Sequence, residues 1–251
     1  MNGNSQKFNR ADTIELNGIH TYYEVYGHGK ALFLLHGFTQ SLQSWKQFIH
    51  EYSNEYKIYL VHLMGHGRSS AFVEEVSVRS AAQNLMDLIE YLGLDNINAI
   101  GYSYGGEILF QLALIKPDLI KSMIIVGSCG TWNAEDFPQF VEYLSYANLE
   151  NLPWMRDQQI SDDRIKNILD QVPNYSVQLN EADLKSIKTL TLLVVGDNDH
   201  ATPLECIIRT KAKMPNAFLW VVPNTGHWVH LDGNKDLFIK TSKDFFKGNN
   251  W

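Results

Sequence analysis

Ile97-Asn98-Ala99-Ile100-Gly101-Tyr102-Ser103-Tyr104-Gly105-Gly106 is the stretch whose reading decides the fold. A short apolar run ends in G-x-S-x-G, and the residues from Tyr104 to Ile115 then follow a helical period. Strand, sharp turn and helix together form the context that gives this pattern its meaning. Glycines flank the serine because the turn strains its backbone and leaves no room for neighbouring side chains. The turn also lifts the serine oxygen above the sheet, at a helix N-terminus. A Gly-Ser turn can merely cap a helix, but the buried strand in front of it argues for the first reading.

Working outward, similar apolar runs occur at Ala31–Leu35, Ile58–Val61, Met123–Val126, Leu190–Val195 and Phe218–Val222. Runs of this kind suit strands buried on both faces. Thr13–Leu16 and Ile19–Tyr26 alternate instead, and Asn17-Gly18 between them favours a two-residue hairpin turn. Helical patterns fall at Ser41–Tyr52, after Ser77 up to Gly93, at Leu204–Met214 and at Lys235–Phe246. A leading hairpin followed by alternating strands and helices predicts an α/β fold, with a mostly parallel central sheet covered on both faces. From 131 to 188 the alternation stops. Phe137, Phe140, Val141, Leu144 and Ala147 mark one helix there, and Ile165, Ile168 and Leu169 another. The expected organisation is a core of residues 1–130 and 189–251 with a helical lid inserted over 131–188.

The chain has 251 residues, 45% hydrophobic and 20% charged, which suits one globular domain without long disorder. A core of this size buries roughly three quarters of the unfolded surface, so disulfide or metal staples are not required. Cys129 and Cys206 lack metal-ligand spacing and are too few for a disulfide framework. The net charge of −7 argues against nucleic-acid partners and against an acidic membrane surface. No apolar run approaches the ~18–20 residues of a membrane span, and the first residues are polar, so a cytoplasmic location is expected. No phosphate-cradling loop or zinc-spaced histidine pair occurs, and no cofactor or metal is expected.

In an open parallel sheet, ligands bind beyond the carboxyl ends of the strands. A serine hydroxyl there needs a base. His227, on the loop after the last strand, is the best placed histidine, and its own orienting carboxylate belongs on the loop after Leu190–Val195. That loop offers Asp197 and Asp199. Asp199 is preferred, being deeper in the loop and nearer Pro203, with Asp197 as the fallback. The oxyanion donors expected are the backbone N–H groups of Tyr104 and Phe38. His36, Gly37, Trp132, Phe137 and Trp228 are the candidate pocket residues. Arg156 and Arg164 receive no role.

With His36-Gly37-Phe38, Gly65-His66-Gly67-Arg68-Ser69, Gly101 to Gly106, Gly196 to Asp199 and Gly226-His227 in this order, the chain resembles the α/β-hydrolase fold family from about Ile14 to Phe246. The resemblance implies Ser103 as nucleophile, Asp199 as acid and His227 as base. One position departs from the family pattern: an Asp usually stands three residues before Gly65, where this chain has His62. Relatives that open epoxides or remove halides carry Asp as nucleophile, so Ser103 argues against both. The activity implied is hydrolysis of a small, apolar carboxylic ester through an acyl-enzyme. The same triad also serves carbon–carbon bond hydrolysis, lactone opening, aminopeptidase and lyase chemistry. A ligand sensor with little turnover is the alternative outside catalysis.

Overall fold

The computed structural model describes residues 8–131, 134–177 and 179–248. β1 (Phe8–Leu16) and β2 (Ile19–Gly27) form the expected hairpin, with Asn17 and Gly18 at φ 52° and 78° in its turn. The left-handed conformation at both positions is what a tight turn matched to strand twist requires. The strands that follow are β3 (Lys30–Leu35), β4 (Tyr56–Val61), β5 (Ile97–Tyr102), β6 (Ile120–Val126), β7 (Leu190–Gly196) and β8 (Ala217–Val222). They join one sheet in the order β1-β2-β4-β3-β5-β6-β7-β8, antiparallel through β2 and β4 and parallel from there to β8.

The apolar runs are continuous because the sheet is covered twice. In β3, Phe33 and Leu35 enter one core, while Leu32 and Leu34 enter the other. The first face carries α2 (Val78–Tyr91) and α3 (Tyr104–Ile115). The second carries α1 (Ile49–Tyr52) and the C-terminal helix, and Tyr52 Oη lies 2.6 Å from Ser242 Oγ between them. Most of the predicted helix at Ser41–Tyr52 is instead a 3₁₀ segment, Leu42–Phe48. Trp45 and Phe48 are both buried, and their three-residue spacing matches the 3₁₀ period.

Between β6 and β7 the chain runs through α4 (Pro138–Tyr143), α5 (Trp154–Gln158), α6 (Asp162–Leu169) and α7 (Glu181–Ser186). After β7 come α8 (Leu204–Lys213) and α9 (Lys235–Lys247). Side-chain amides fasten much of the α5–α6 region to the core loops. Gln158 accepts from the Ser41 N–H at 3.0 Å, Asn167 from Phe72 at 3.0 Å and Gln171 from Val76 at 2.8 Å. Arg164, to which the sequence assigned nothing, donates to the carbonyls of Gly67 and Ser69 at 2.9 and 2.7 Å. Its charge closes the turn that the family motif forms. Arg156 remains a surface residue paired with Glu150.

The loops after β3 and β4 are pinned by histidines. His36 Nε2 accepts the Leu63 N–H at 3.1 Å, and its Nδ1 lies 2.8 Å from the Gly37 carbonyl. His66 Nε2 accepts the Thr39 N–H at 3.3 Å, and its Nδ1 lies 3.0 Å from the Met64 carbonyl. His62 stands where the family has Asp, yet it still serves the turn: its Nδ1 accepts the Arg68 N–H at 2.9 Å. Each ring uses one nitrogen as an acceptor, so these are neutral imidazoles. Burial pushes His36 down to about 4, His62 to about 2, His230 to about 3 and His66 well below its ordinary range.

The two cysteines are joined. Cys129, just after β6, and Cys206, in α8, form a disulfide across a sequence separation of 77 with Cα atoms 6.0 Å apart. The sequence reading, that two cysteines are too few for a disulfide framework, did not anticipate this single bond. Sequence distance carried no sign that the β6 and β7 loops converge. Disulfides persist mainly in oxidising compartments, which weighs against the cytoplasmic location expected from the sequence. Among the described residues no helix is long and apolar enough to cross a membrane.

Two stability predictions follow from this packing. Closing so long a loop should stabilise the fold by about 2–4 kcal/mol. Urea unfolding with and without dithiothreitol tests this; the Cys129→Ser/Cys206→Ser variant should match the reduced protein, and an unshifted midpoint under reduction would refute it. The second concerns acid. Below about pH 6.5 the unfolded chain gains protons that the four buried histidines refuse, so their contribution is fully present above that pH and lost as pH falls. The limiting slope is about 1.4 kcal/mol per pH unit for each group. Burial pushes the Glu107 carboxyl well above its usual range, which opposes that slope as one group against four. Urea midpoints should therefore fall between pH 7 and 5, and a flat profile would mean that the histidines are charged in the fold.

Candidate active site

The turn from β5 into α3 holds Ser103 at φ 49° and ψ −115°, outside the regions open to ordinary L-residues. The surrounding contacts enforce it. Ser103 N–H donates to the Val126 carbonyl at 2.8 Å, and the N–H groups of Gly106 and Glu107 return to its own carbonyl at 2.8 and 3.1 Å. A Cβ at Gly101 would lie 2.4 Å from the Gly105 carbonyl oxygen, and one at Gly105 would lie 2.5 Å from that of Leu35. Those glycines are present because backbone passes against backbone there.

At the ends of β7 and β8, His227 Nδ1 lies 2.8 Å from Asp199 Oδ2. The Asp199 side chain is fully buried, and its other oxygen accepts the N–H groups of Ala201 and Thr202 at 2.9 and 2.8 Å. Thr202 in turn donates its hydroxyl to the Gly127 carbonyl at 3.0 Å. Gly127 itself has φ 59°, and a Cβ on it would meet the His227 ring at 3.0 Å. Asp197 occupies a different place. It is exposed, and it accepts the Thr225 N–H at 3.1 Å. Backbone N–H groups of Asn224 and Thr225 hold its carboxyl below the usual range. It anchors the loop that carries His227 and does not touch that residue's ring.

Two backbone donors lie near the serine. Tyr104 N–H is at the first position of α3, where a helix leaves its N–H groups without internal acceptors. Beside it runs Gly37-Phe38-Thr39. Gly37 N–H donates to Gln40 Oε1 at 3.1 Å and Thr39 N–H to His66, while Phe38 N–H between them has no acceptor among the described residues. Gln159 fixes this loop: its amide donates to the carbonyls of Thr39 and Gln40 at 3.1 and 2.6 Å, and its oxygen accepts the Gly67 N–H at 2.8 Å.

Ser103 and His227 line one pocket with Phe38, Glu107, Phe140, Val172, Tyr175, Ala201 and Thr202. Its volume is about 20 Å³, the room of about one water. Of the pocket residues read from sequence, none of those described lines it. His36 is fully buried and its nitrogens are used by the loops. Gly37 packs against the Tyr102 ring, where a Cβ would stand at 2.8 Å. Phe137 packs on the core beside Phe140, which lines the pocket in its stead. Trp228 is 41% exposed and rests against Tyr102. Trp132 lies outside the described residues. Sequence reasoning missed Glu107 and Tyr175. Glu107 had a signal, since it follows Ser103 by four residues and so shares its helix face. Among the described residues no group of three or more His, Cys, Asp or Glu could hold a metal ion.

The α/β-hydrolase fold model matches residues 30–182. The chain is 23% identical to human epoxide hydrolase 4 over 290 residues, covering 93% of this chain and 77% of that one. It is 25% identical over 284 residues to 2-hydroxy-6-oxononadienedioate/2-hydroxy-6-oxononatrienedioate hydrolase 2 of Pseudomonas putida, covering 97% of this chain and 96% of the other. The enol-lactonase of Burkholderia xenovorans superposes with a TM-score of 0.81 at 16% identity, over 94% of this chain and all of that one (100%). Sheet order, elbow and family match agree, and the chain belongs to the α/β-hydrolase fold family, whose membership supports hydrolysis as its class of reaction.

Proposed function

We propose that the protein hydrolyses a small, largely apolar carboxylic ester through an acyl-enzyme on Ser103. The observation that carries this reading is the 2.8 Å contact between His227 and Asp199 beside a pocket that His227 shares with Ser103. Ser103 Oγ attacks the ester carbonyl while His227 Nε2 takes its proton. The C–O bond to the leaving alcohol then breaks, and His227 returns the proton to that oxygen. Water repeats the sequence on the acyl-enzyme and releases the acid. Asp199 holds the imidazole in the tautomer that leaves Nε2 as base, and it balances the imidazolium charge. The N–H groups of Tyr104 and Phe38 receive the developing oxyanion; one such donor is typically worth about 10²–10³ in rate.

The bond class follows from the nucleophile. A serine alkoxide makes a hydrolysable acyl ester from a carbonyl, whereas an epoxide would leave it as a stable ether. The epoxide chemistry named for the human relative therefore does not carry over. A lactone is an ester closed in a ring and falls within the same chemistry. Dicarboxylate substrates, as named for the Pseudomonas putida relative, are less suited, because no Lys or Arg is among the described residues lining the pocket. Phe38, Phe140 and Val172 favour an apolar acyl or alcohol group instead.

Space for about one water does not admit an ester, so a wall of the pocket has to move. The α5–α6 region is held by the amides of Gln158, Gln159 and Asn167. α4, which carries Phe140, buries no residue completely and is the part that yields to substrate.

Fluorophosphonate labelling and p-nitrophenyl ester turnover test the assignment together. Ser103→Ala should lose both, and labelling that persists in the variant would overturn the nucleophile. Asp199→Asn should lower kcat by about 10⁴. Asp197→Asn should change it only a few-fold; the reverse order would exchange the two carboxylates.

A further inference from the structure

Glu107 is a buried carboxyl that the proposed mechanism leaves unused. It lies four residues beyond Ser103 on α3, about 6 Å along the axis, and lines the same pocket. Among the described residues no Lys, Arg or His pairs with it. The Tyr175 hydroxyl, from the segment between β6 and β7, donates to its Oε2. The remaining walls are mostly apolar, so these two side chains form a polar end within a hydrocarbon-lined space.

Resting on the ester-hydrolase reading, we propose that Glu107 and Tyr175 form a subsite that hydrogen-bonds an uncharged oxygen, keto or hydroxyl, on the acyl chain of the substrate. The spacing sets its position. With the carbonyl carbon at Ser103 Oγ and a hydrogen bond of about 2.8 Å at the far end, the offset of one helical turn, extended by the reach of the Glu107 side chain, places that oxygen a few carbons along the acyl chain. A second carboxylate on the substrate does not suit the place, since no cation among the described lining residues would balance it. Burial pushes the Glu107 carboxyl well above its usual range, so it enters the pocket as a donor as well as an acceptor. The same contact also ties Tyr175 to α3, so a purely structural role must be separated from recognition. The distinguishing property is discrimination between two esters of equal length.

Binding to the Ser103→Ala protein measures this without turnover. Calorimetry with ethyl 4-oxopentanoate and ethyl pentanoate should show the oxo ester binding about tenfold tighter, the worth of one net hydrogen bond. Adding Glu107→Leu should erase the preference, and adding Glu107→Gln, which keeps an uncharged donor and acceptor, should retain most of it. Equal binding of the two esters, or a preference that survives Glu107→Leu, would overturn the subsite. If the preference is present but the wild type turns over neither ester, the subsite stands and the ester-hydrolase reading falls.

Discussion

Everything at the carboxyl edge of this sheet depends on one close approach, the passage of the β5–α3 turn against the ends of β3 and β6. At Gly101 and Gly105 the backbones come nearer than any side chain permits. That contact fixes Ser103 in a conformation that costs of order 1–3 kcal/mol and survives only because its surroundings over-determine it. The same turn places the Tyr104 N–H at a helix start, beside the Phe38 loop. Ser103, the helix terminus beside it and the neighbouring Phe38 loop thus come from a single packing constraint.

The flanking loops are held by groups that carry no net charge. His36, His62 and His66 each accept a backbone N–H, and Gln159 satisfies two carbonyls and an N–H at once. Neutral imidazoles and amides can bridge loops inside a low-dielectric region without the desolvation that buried ions suffer. The replacement of the family's Asp by His62 fits this pattern: a turn that elsewhere is served by a carboxylate is here served by a ring nitrogen. Arg164 is the exception, and it spends its charge on carbonyl oxygens.

The sheet was legible in the sequence because burial on both faces writes itself as continuous apolar runs, and the strands after the hairpin follow those runs closely. The elbow was legible because a strained turn restricts residue type at fixed offsets. The contact of His227 with Asp199 was reachable from their places on the loops after β8 and β7, and Asp199 over Asp197 by its depth in the loop. Other features were hidden for physical reasons. The Cys129–Cys206 bond joins residues whose proximity arises only once β6 and β7 pair. Trp228 reads as a pocket residue because it adjoins His227, yet its ring lies on Tyr102, exposed and outside the pocket lining. Tyr175 had no periodic or motif context, since its position depends on how an irregular segment folds back onto α3.

The buried acid and the serine are also linked electrostatically. Under the proposed mechanism, negative charge develops one helical turn from Glu107, in a region where little water screens it. An ionised carboxylate there would raise the energy of that oxyanion and oppose the donors at Tyr104 and Phe38. Apolar walls work against this by desolvation: they push the Glu107 carboxyl well above its usual range, towards the neutral form that can donate a hydrogen bond. Asp199 avoids the conflict differently. It takes two backbone N–H groups and the imidazole, so its charge is met locally and faces His227 rather than the serine. The two buried carboxyls of this sheet edge thus sit in opposite surroundings, one among N–H donors and an imidazole, the other among apolar walls and a single hydroxyl.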